Sequence, residues 1–444
     1  MAQPHSIRAQ DGRTQLTELV AARLPMVSRM RVRLANGALV AFGMLAARMG
    51  IQAVVLFSVA RFIAADGYGT FAAVVALGSL FAPLSGLGAD FVAMRAAAQT
   101  PAQSLVAFNR ALRITTATTV PLVIVAAAIS NAAFSEHIAL LIALQVLVAD
   151  IFMFRISELV AKIYQGRGDM FVMGIVRLLP ALLRLVAVGA LWLLAAAPTL
   201  ALWATCYLSG SVAAALLASA WLFRDLRHTL PMGSPLPFRW KDGLHFAGGV
   251  ISARLHTEAD KMLVLSLSGA TGAGVYAAGY RIIELSLLPV AAIVSTAYAR
   301  LFGSAGTHGT AATAAAGIRS TAACVMLGLV LAAAVWGFLV PALVWSAGPS
   351  FATVNEGLLP LAMLPIAMSL RMTGEQNVAA AGFLAIRSRV QWVVAGGALV
   401  ANFICIPRYG WTAAAYVCMA TETTLGLIYL GVMAKVASKR ISTI

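Results

Sequence analysis

Eight basic side chains lie inside long apolar runs of this sequence: Arg48, Arg155, Arg177, Arg184, Arg254, Lys261, Arg281 and Arg371. Eight acids do the same: Asp90, Asp150, Glu158, Glu258, Asp260, Glu284, Glu375 and Glu422. A charge in an apolar segment is costly, and it marks a cavity, an ion path or a partner. Seven of the eight bases are arginine. The guanidinium fork binds phosphate through two parallel bonds, where an ammonium offers a point charge. Arg177 and Arg184 are seven apart, so they share a helix face, in a run that holds no acid. Arg48 has no acid four residues on. Unpaired arginines that converge in a cavity are expected to hold an anionic, phosphate-bearing substrate; Arg48, Arg177 and Arg184 are read this way, and Arg254, Arg281 and Arg371 complete the set of candidate contacts. Equal numbers of acids leave the other reading open, in which every arginine is neutralised from another helix.

Helical spacing suggests local partners. Glu158 has Arg155 three before it and Lys162 four after, Arg281 precedes Glu284 by three, and Arg371 precedes Glu375 by four. The densest segment holds Arg254, His256, Glu258, Asp260 and Lys261 within eight residues. A lipid-facing helix would not carry this set. Asp260, Lys261, Glu258 and His256 are the candidates for gating or ion coupling. A lone histidine can also be a hydrogen-bonded core residue. There is no P-loop, dinucleotide glycine motif or metal-ligand spacing, and the four cysteines lie in apolar runs. No cofactor or nucleotide hydrolysis is expected. An ion gradient, the membrane potential or substrate mass action must supply the energy.

The elements that position these groups follow from composition. Of 444 residues, 61% are hydrophobic and 11% charged, with a mean hydropathy of +0.88. A soluble domain has roughly 45–50% apolar and about 25% charged residues. A soluble enzyme, a disordered chain and a disulfide scaffold are excluded. Twelve runs are long enough to span a bilayer: 36–62, 69–93, 114–131, 137–161, 171–195, 199–223, 244–268, 272–299, 318–342, 355–382, 390–406 and 411–434. The first is too long for a signal peptide. The net charge of +16 sits in the connections, so nucleic acid is not the expected partner. Twenty-two Lys and Arg fall in the N-terminal segment, the even-numbered connections and the tail, against Arg61 and Arg408 in the odd-numbered ones. Positive segments stay inside, so both termini are expected in the cytoplasm. The layout is a basic segment 1–35, six helices over 36–223, a linker 224–243 containing Pro231 and Pro235, six helices over 244–434 and a tail 435–444.

The two halves repeat. Gly43 to Met49 matches Gly249 to Leu255 at an offset of 206, aligning Arg48 with Arg254. Gly67-Tyr68-Gly69 matches Gly272-Ala273-Gly274 at 205, and Pro83 matches Pro289 at 206. Six spans per repeat make the repeats parallel, an arrangement that transporters use to alternate access around a site at their interface. The Gly-x-Gly pairs are expected to supply permissive backbone at a tight turn. Pro83 and Pro289 are expected inside helices, as hinges or as packed kinks.

Ala65-Asp66-Gly67-Tyr68-Gly69, Gly86-Leu87-Gly88 and Arg95 resemble the N-terminal pattern of bacterial polysaccharide flippases, of the multidrug/oligosaccharidyl-lipid/polysaccharide exporter superfamily. Arg254, Asp260-Lys261, Gly274-Val275-Tyr276 and Arg281 resemble the family's second-half signature. The resemblance implies an all-α polytopic membrane protein, its two six-helix lobes forming a V around a cationic cavity. It implies transfer of an undecaprenyl-diphosphate-linked oligosaccharide across the bacterial inner membrane, for O-antigen, capsule or exopolysaccharide synthesis. Arg48, Arg254 and Arg281 would contact the phosphates, and Asp260 and Lys261 would gate or couple. Proton or sodium is the candidate coupling ion, and a polysaccharide polymerase and glycosyltransferases are candidate partners. The peptidoglycan-precursor branch usually has fourteen spans, which this chain lacks. A cation-coupled multidrug exporter has the same layout but should line its cavity with acids. A glycan polymerase would need a large external loop, and a channel has less use for an internal duplication.

Overall fold

Among the described residues the chain is helical and has no strand. The computed structural model describes residues 7–194, 197–227 and 240–438; the side chains of 7–42, most of 240–256 (His256 included) and most of 295–313 lie outside that set. Most of the expected linker, with Pro231 and Pro235, and 439–444 of the tail also lie outside the described residues. The first half holds α1 (Ile7–Phe81), α2 (Ala89–Gln99), α3 (Ser104–Phe134), α4 (Leu140–Val148), α5 (Phe154–Gly166), α6 (Met170–Leu194) and α7 (Leu200–Leu226). The second holds α8 (Trp240–Ser268), α9 (Ala270–Ser286), α10 (Leu288–Ala334), α11 (Val340–Ala347), α12 (Leu358–Ala380), α13 (Leu384–Tyr409) and α14 (Trp411–Ser438).

Every apolar run falls on helix, but the count of twelve spans is not reached. Among the described residues nine helices are long and apolar enough to cross a membrane, or ten if bent α9 and the start of α10 form one span. Runs 36–62 and 69–93 share α1, and α8 is absent from the count. Its Arg254, Glu258, Asp260 and Lys261 make it too polar to qualify by composition.

The repeat is visible in the backbone. Inside α1 the helix breaks at Ala64, with φ 54° and ψ −175°. Between α8 and α9 it breaks at Gly269, with φ 87° and ψ 174°, 205 residues later. The turn glycine is therefore Gly269 and its counterpart is an alanine, which corrects the expectation for Gly-x-Gly. Gly69 and Gly274 lie in helix beyond each break, and close approach is what requires them. A Cβ on Gly69 would fall 2.1 Å from the Ala270 carbonyl oxygen, and one on Gly274 1.9 Å from that of Ala65. The Thr271 hydroxyl donates to Asp66 across the same contact. The prolines also depart from expectation. Pro83 sits in a tight 3-10 turn, Ala82–Leu84, that ends α1, and Gly86, Leu87 and Gly88 follow it with left-handed backbone. Pro289 occupies the first turn of α10, where a missing N–H is harmless, and a 47° bend separates α9 from α10 there.

Three apolar clusters organise the interior. The largest joins both halves at the Ala64 and Gly269 end, from Leu56, Tyr68 and Trp203 to Tyr276, Phe351 and Trp411. A second belongs to the first half alone, around Phe108, Leu159, Tyr164 and Leu222. A third belongs to the second half alone, around Ala314, Val378 and Tyr429. The halves are therefore sealed together at one end, and each also has a cluster of its own among the described residues.

Candidate functional site: a charged cavity between the halves

Below the joint cluster lies a cavity of about 620 Å³, lined from α1, α2 and α5–α9, with Asp150 from the π-helical turn Ala149–Met153. Its lining holds six bases, Arg48, Arg155, Arg184, Arg254, Lys261 and Arg281, and four acids, Asp90, Asp150, Glu258 and Glu284. Each acid has a basic partner. Asp90 lies 3.4 Å from Arg155, Asp150 3.7 Å from Arg184 and Glu284 2.7 Å from Arg281. Glu258 is shared by Arg254 at 3.3 Å and Lys261 at 3.1 Å. Arg48 is the lining base with no carboxylate partner among the described residues; its guanidinium sits over the Phe154 ring, 5.9 Å from the centroid.

The asymmetry has a source in the repeat. Arg254 is held by Glu258, four residues on. The matching position in the first half is Gln52, whose amide oxygen accepts from Arg281 at 3.0 Å. A neutral amide in place of the acid leaves Arg48 to the cavity and ties the first half to α9.

Several expected pairings are corrected. Glu158 is bonded by Arg177 of α6, not by Lys162 or Arg155. Lys162 instead lies over the Phe91 ring, 4.4 Å from its centroid. Arg177 and Arg184 thus both have carboxylate partners from neighbouring elements, and the idea that they are unpaired fails. Arg177 does not line the cavity, and neither does Arg371. Arg371 is buried in the second half, bonded to Glu375 at 2.8 Å and to Glu422, while Arg387 bonds the other oxygen of Glu375. That knot ties α12 to α13 and α14. Asp260 is buried away from the cavity and accepts from the Tyr276 hydroxyl. Lys261 and Glu258 line the cavity, and Lys261 also lies over Tyr280, 4.0 Å from its ring centroid. The His256 side chain lies outside the described residues.

The sequence reading missed Arg155, Asp150, Gln52, Trp203 and Tyr207 as lining residues. Gln52 was findable, since the offset of 206 aligns it with Glu258. Asp150 had a weaker signal; it sits on a π-turn, a distortion common at functional sites, but one that sequence does not reveal.

A duplicated helical scaffold with a charged cavity between its halves is the architecture of a membrane transporter. The chain is similar to a multidrug resistance MATE family transporter of the MOP superfamily in an inward-facing conformation, at 15% identity, over 91% of this chain and 95% of that one, with a TM-score of 0.68. An outward-facing form of such a transporter gives 14% identity, 92% and 97% coverage and a TM-score of 0.63. A MOP superfamily transporter from Pyrococcus furiosus Vc1 (DSM3638), described as having a binding pocket of reverse polarity that suggests a different function, gives 13%, 90% and 96%, and 0.62. These likenesses show that the chain shares the fold of these solved transporters, and its apolar helices make it a multi-pass membrane protein. Residues 34–302 match the family model described as polysaccharide biosynthesis protein. The chain belongs to that family, the one its sequence resembles. No curated protein matches it.

Proposed function

We propose that the chain moves an undecaprenyl-diphosphate-linked oligosaccharide from the inner to the outer leaflet of the bacterial cytoplasmic membrane by alternating access. The observation that carries this reading is the excess of base in the cavity, with Arg48 left without an acid among the described residues. A diphosphate suits that excess, and the guanidinium suits its oxygens. A cavity for cationic drugs would carry the opposite excess.

The family supports a polysaccharide pathway. The end opposite the sealed one carries Arg95, Arg110, Arg113, Arg167 and Lys435, so the positive-inside rule turns it to the cytoplasm. In this reading the sealed end is the outer gate, and the cavity is loaded from inside. Arg48, Arg254 and Arg281 hold the diphosphate. Glu258 and Lys261 sit where a proton or sodium ion could change the balance of pairing, with Asp260 behind them. Pro289 marks the bend about which α9 and α10 would move.

The test is deletion of the gene in its host, with mass spectrometry of the undecaprenyl-diphosphate pool and leaflet-specific labelling. Complete repeat units should accumulate facing the cytoplasm and be cleared by the wild-type gene but not by Arg48→Ala. An unchanged pool with new sensitivity to cationic dyes would instead assign the protein to drug export.

A further inference from the structure

The bases account for one part of a linear, amphipathic substrate. The sealed end of the cavity has a different chemistry. Tyr68, Phe71, Trp203 and Tyr207 line it there and form one aromatic floor. Phe71 meets Tyr207 at 5.2 Å and 81°, and Trp203 at 6.0 Å and 70°, both edge to face. Trp203 and Tyr207 are 5.9 Å apart. Arg184 stacks on Tyr207 with 3.9 Å between guanidinium and ring centroid.

Around this floor, polar atoms are unspent. The Trp203 indole N–H and Arg184 Nε have no hydrogen-bond partner. Both residues line the cavity. Nine in ten or more buried polar groups are satisfied in proteins, and an unsatisfied one costs about 1–3 kcal/mol. Two at one floor suit a ligand rich in hydroxyls. A sugar ring has an apolar C–H face and a rim of hydroxyls, and an aromatic floor beside spare donors complements both. Amphipathic aromatics of this kind serve where one side must be dry and the other polar.

The two chemistries are separated along the cavity. Arg48 lies sixteen residues before the break at Ala64 and Phe71 only seven after it. At 1.5 Å per residue that places them roughly 24 Å and 10 Å from the sealed end.

Resting on the lipid-linked glycan reading above, we infer that the aromatic floor of Phe71, Trp203 and Tyr207 is a sugar subsite. The substrate lies with its glycan toward the sealed end and its diphosphate at Arg48. The glycan then leads through the outer gate and the charged group follows.

The full chain in lipid nanodiscs tests this with two probes: undecaprenyl diphosphate, and the glycan-bearing lipid extracted from the host deletion strain. The wild type should bind the glycan-bearing lipid at least about tenfold more tightly. Trp203→Phe deletes the N–H and shrinks the indole to one six-membered ring, and Phe71→Leu removes one ring of the floor. Both should bring the ratio of the two affinities to within twofold, with the melting temperature as the check on folding. Equal binding of the two lipids by the wild type, or an unchanged ratio in both variants, overturns the subsite and leaves the flippase reading standing. Failure of both lipids to bind the wild type overturns the flippase reading, and the subsite with it.

Discussion

Arg48 and Arg254 occupy matching positions in the two halves. Arg254 is paired with Glu258 at 3.3 Å, whereas Arg48 faces Phe154 and has no carboxylate partner among the described residues. The first half has Gln52 where the second has Glu258, and one uncharged side chain makes the cavity cationic on one wall.

Gln52→Glu restores the missing acid and should neutralise Arg48. A charge-assisted hydrogen bond is worth about 1.5–3 kcal/mol, so occupying Arg48 should weaken diphosphate binding by roughly 10- to 100-fold. Binding of undecaprenyl diphosphate to the purified variant measures this. Unaltered affinity would mean that Arg48 is not the anchor.

Arg371→Ala should act on folding. It leaves Glu375 and Glu422 buried without their shared guanidinium, a change that costs about 3–5 kcal/mol. The expected result is loss of monodisperse protein on size-exclusion chromatography, while Arg48→Ala elutes like the wild type. A well-folded Arg371→Ala variant that fails to transport would place Arg371 in the transport path instead.

Gly69→Ala puts a methyl about where the Ala270 carbonyl stands, and Gly274→Ala does the same at Ala65. Overpacking of this kind costs about 1–3 kcal/mol and must push the halves apart at the sealed end. Alkylation of Thr271→Cys should therefore be several-fold faster in either background. No change in rate would show that the contact yields elsewhere.

Ala64 holds a backbone conformation that glycine takes without cost, as Gly269 does in the second half. Strain of this type is worth about 1–3 kcal/mol. Ala64→Gly should raise the thermal midpoint, and Gly269→Ala should lower it. The reverse order would indicate that a rigid joint at 64 matters more than its strain.

Arg48, Arg184, Arg254 and Arg281 could be read from sequence as cavity residues because arginine in an apolar run has few other uses. The helices, the repeat and the family could be read too, since apolar length and a fixed offset are one-dimensional signals. Partners could not. Spacing suggests Lys162 for Glu158, but packing of α5 against α6 presents Arg177 first. Arg371 looks like Arg48 in sequence, and only the approach of α14 with Glu422 shows that it is held in a buried ion-pair knot. The glycines were noticed for a turn and serve a close contact, because a repeat that meets its own copy leaves no trace in either copy alone.

The joint cluster also bears on biogenesis. It draws on residues from Leu56 to Cys418, whereas the first half's own cluster ends at Leu226. A nascent chain can complete that smaller cluster while its C-terminal helices are still in the ribosome. Leu56, Tyr68 and Trp203 must wait in the bilayer until α14 arrives. During that interval the first half exposes an unfinished face, and a membrane chaperone or the translocon itself is the natural surface to cover it.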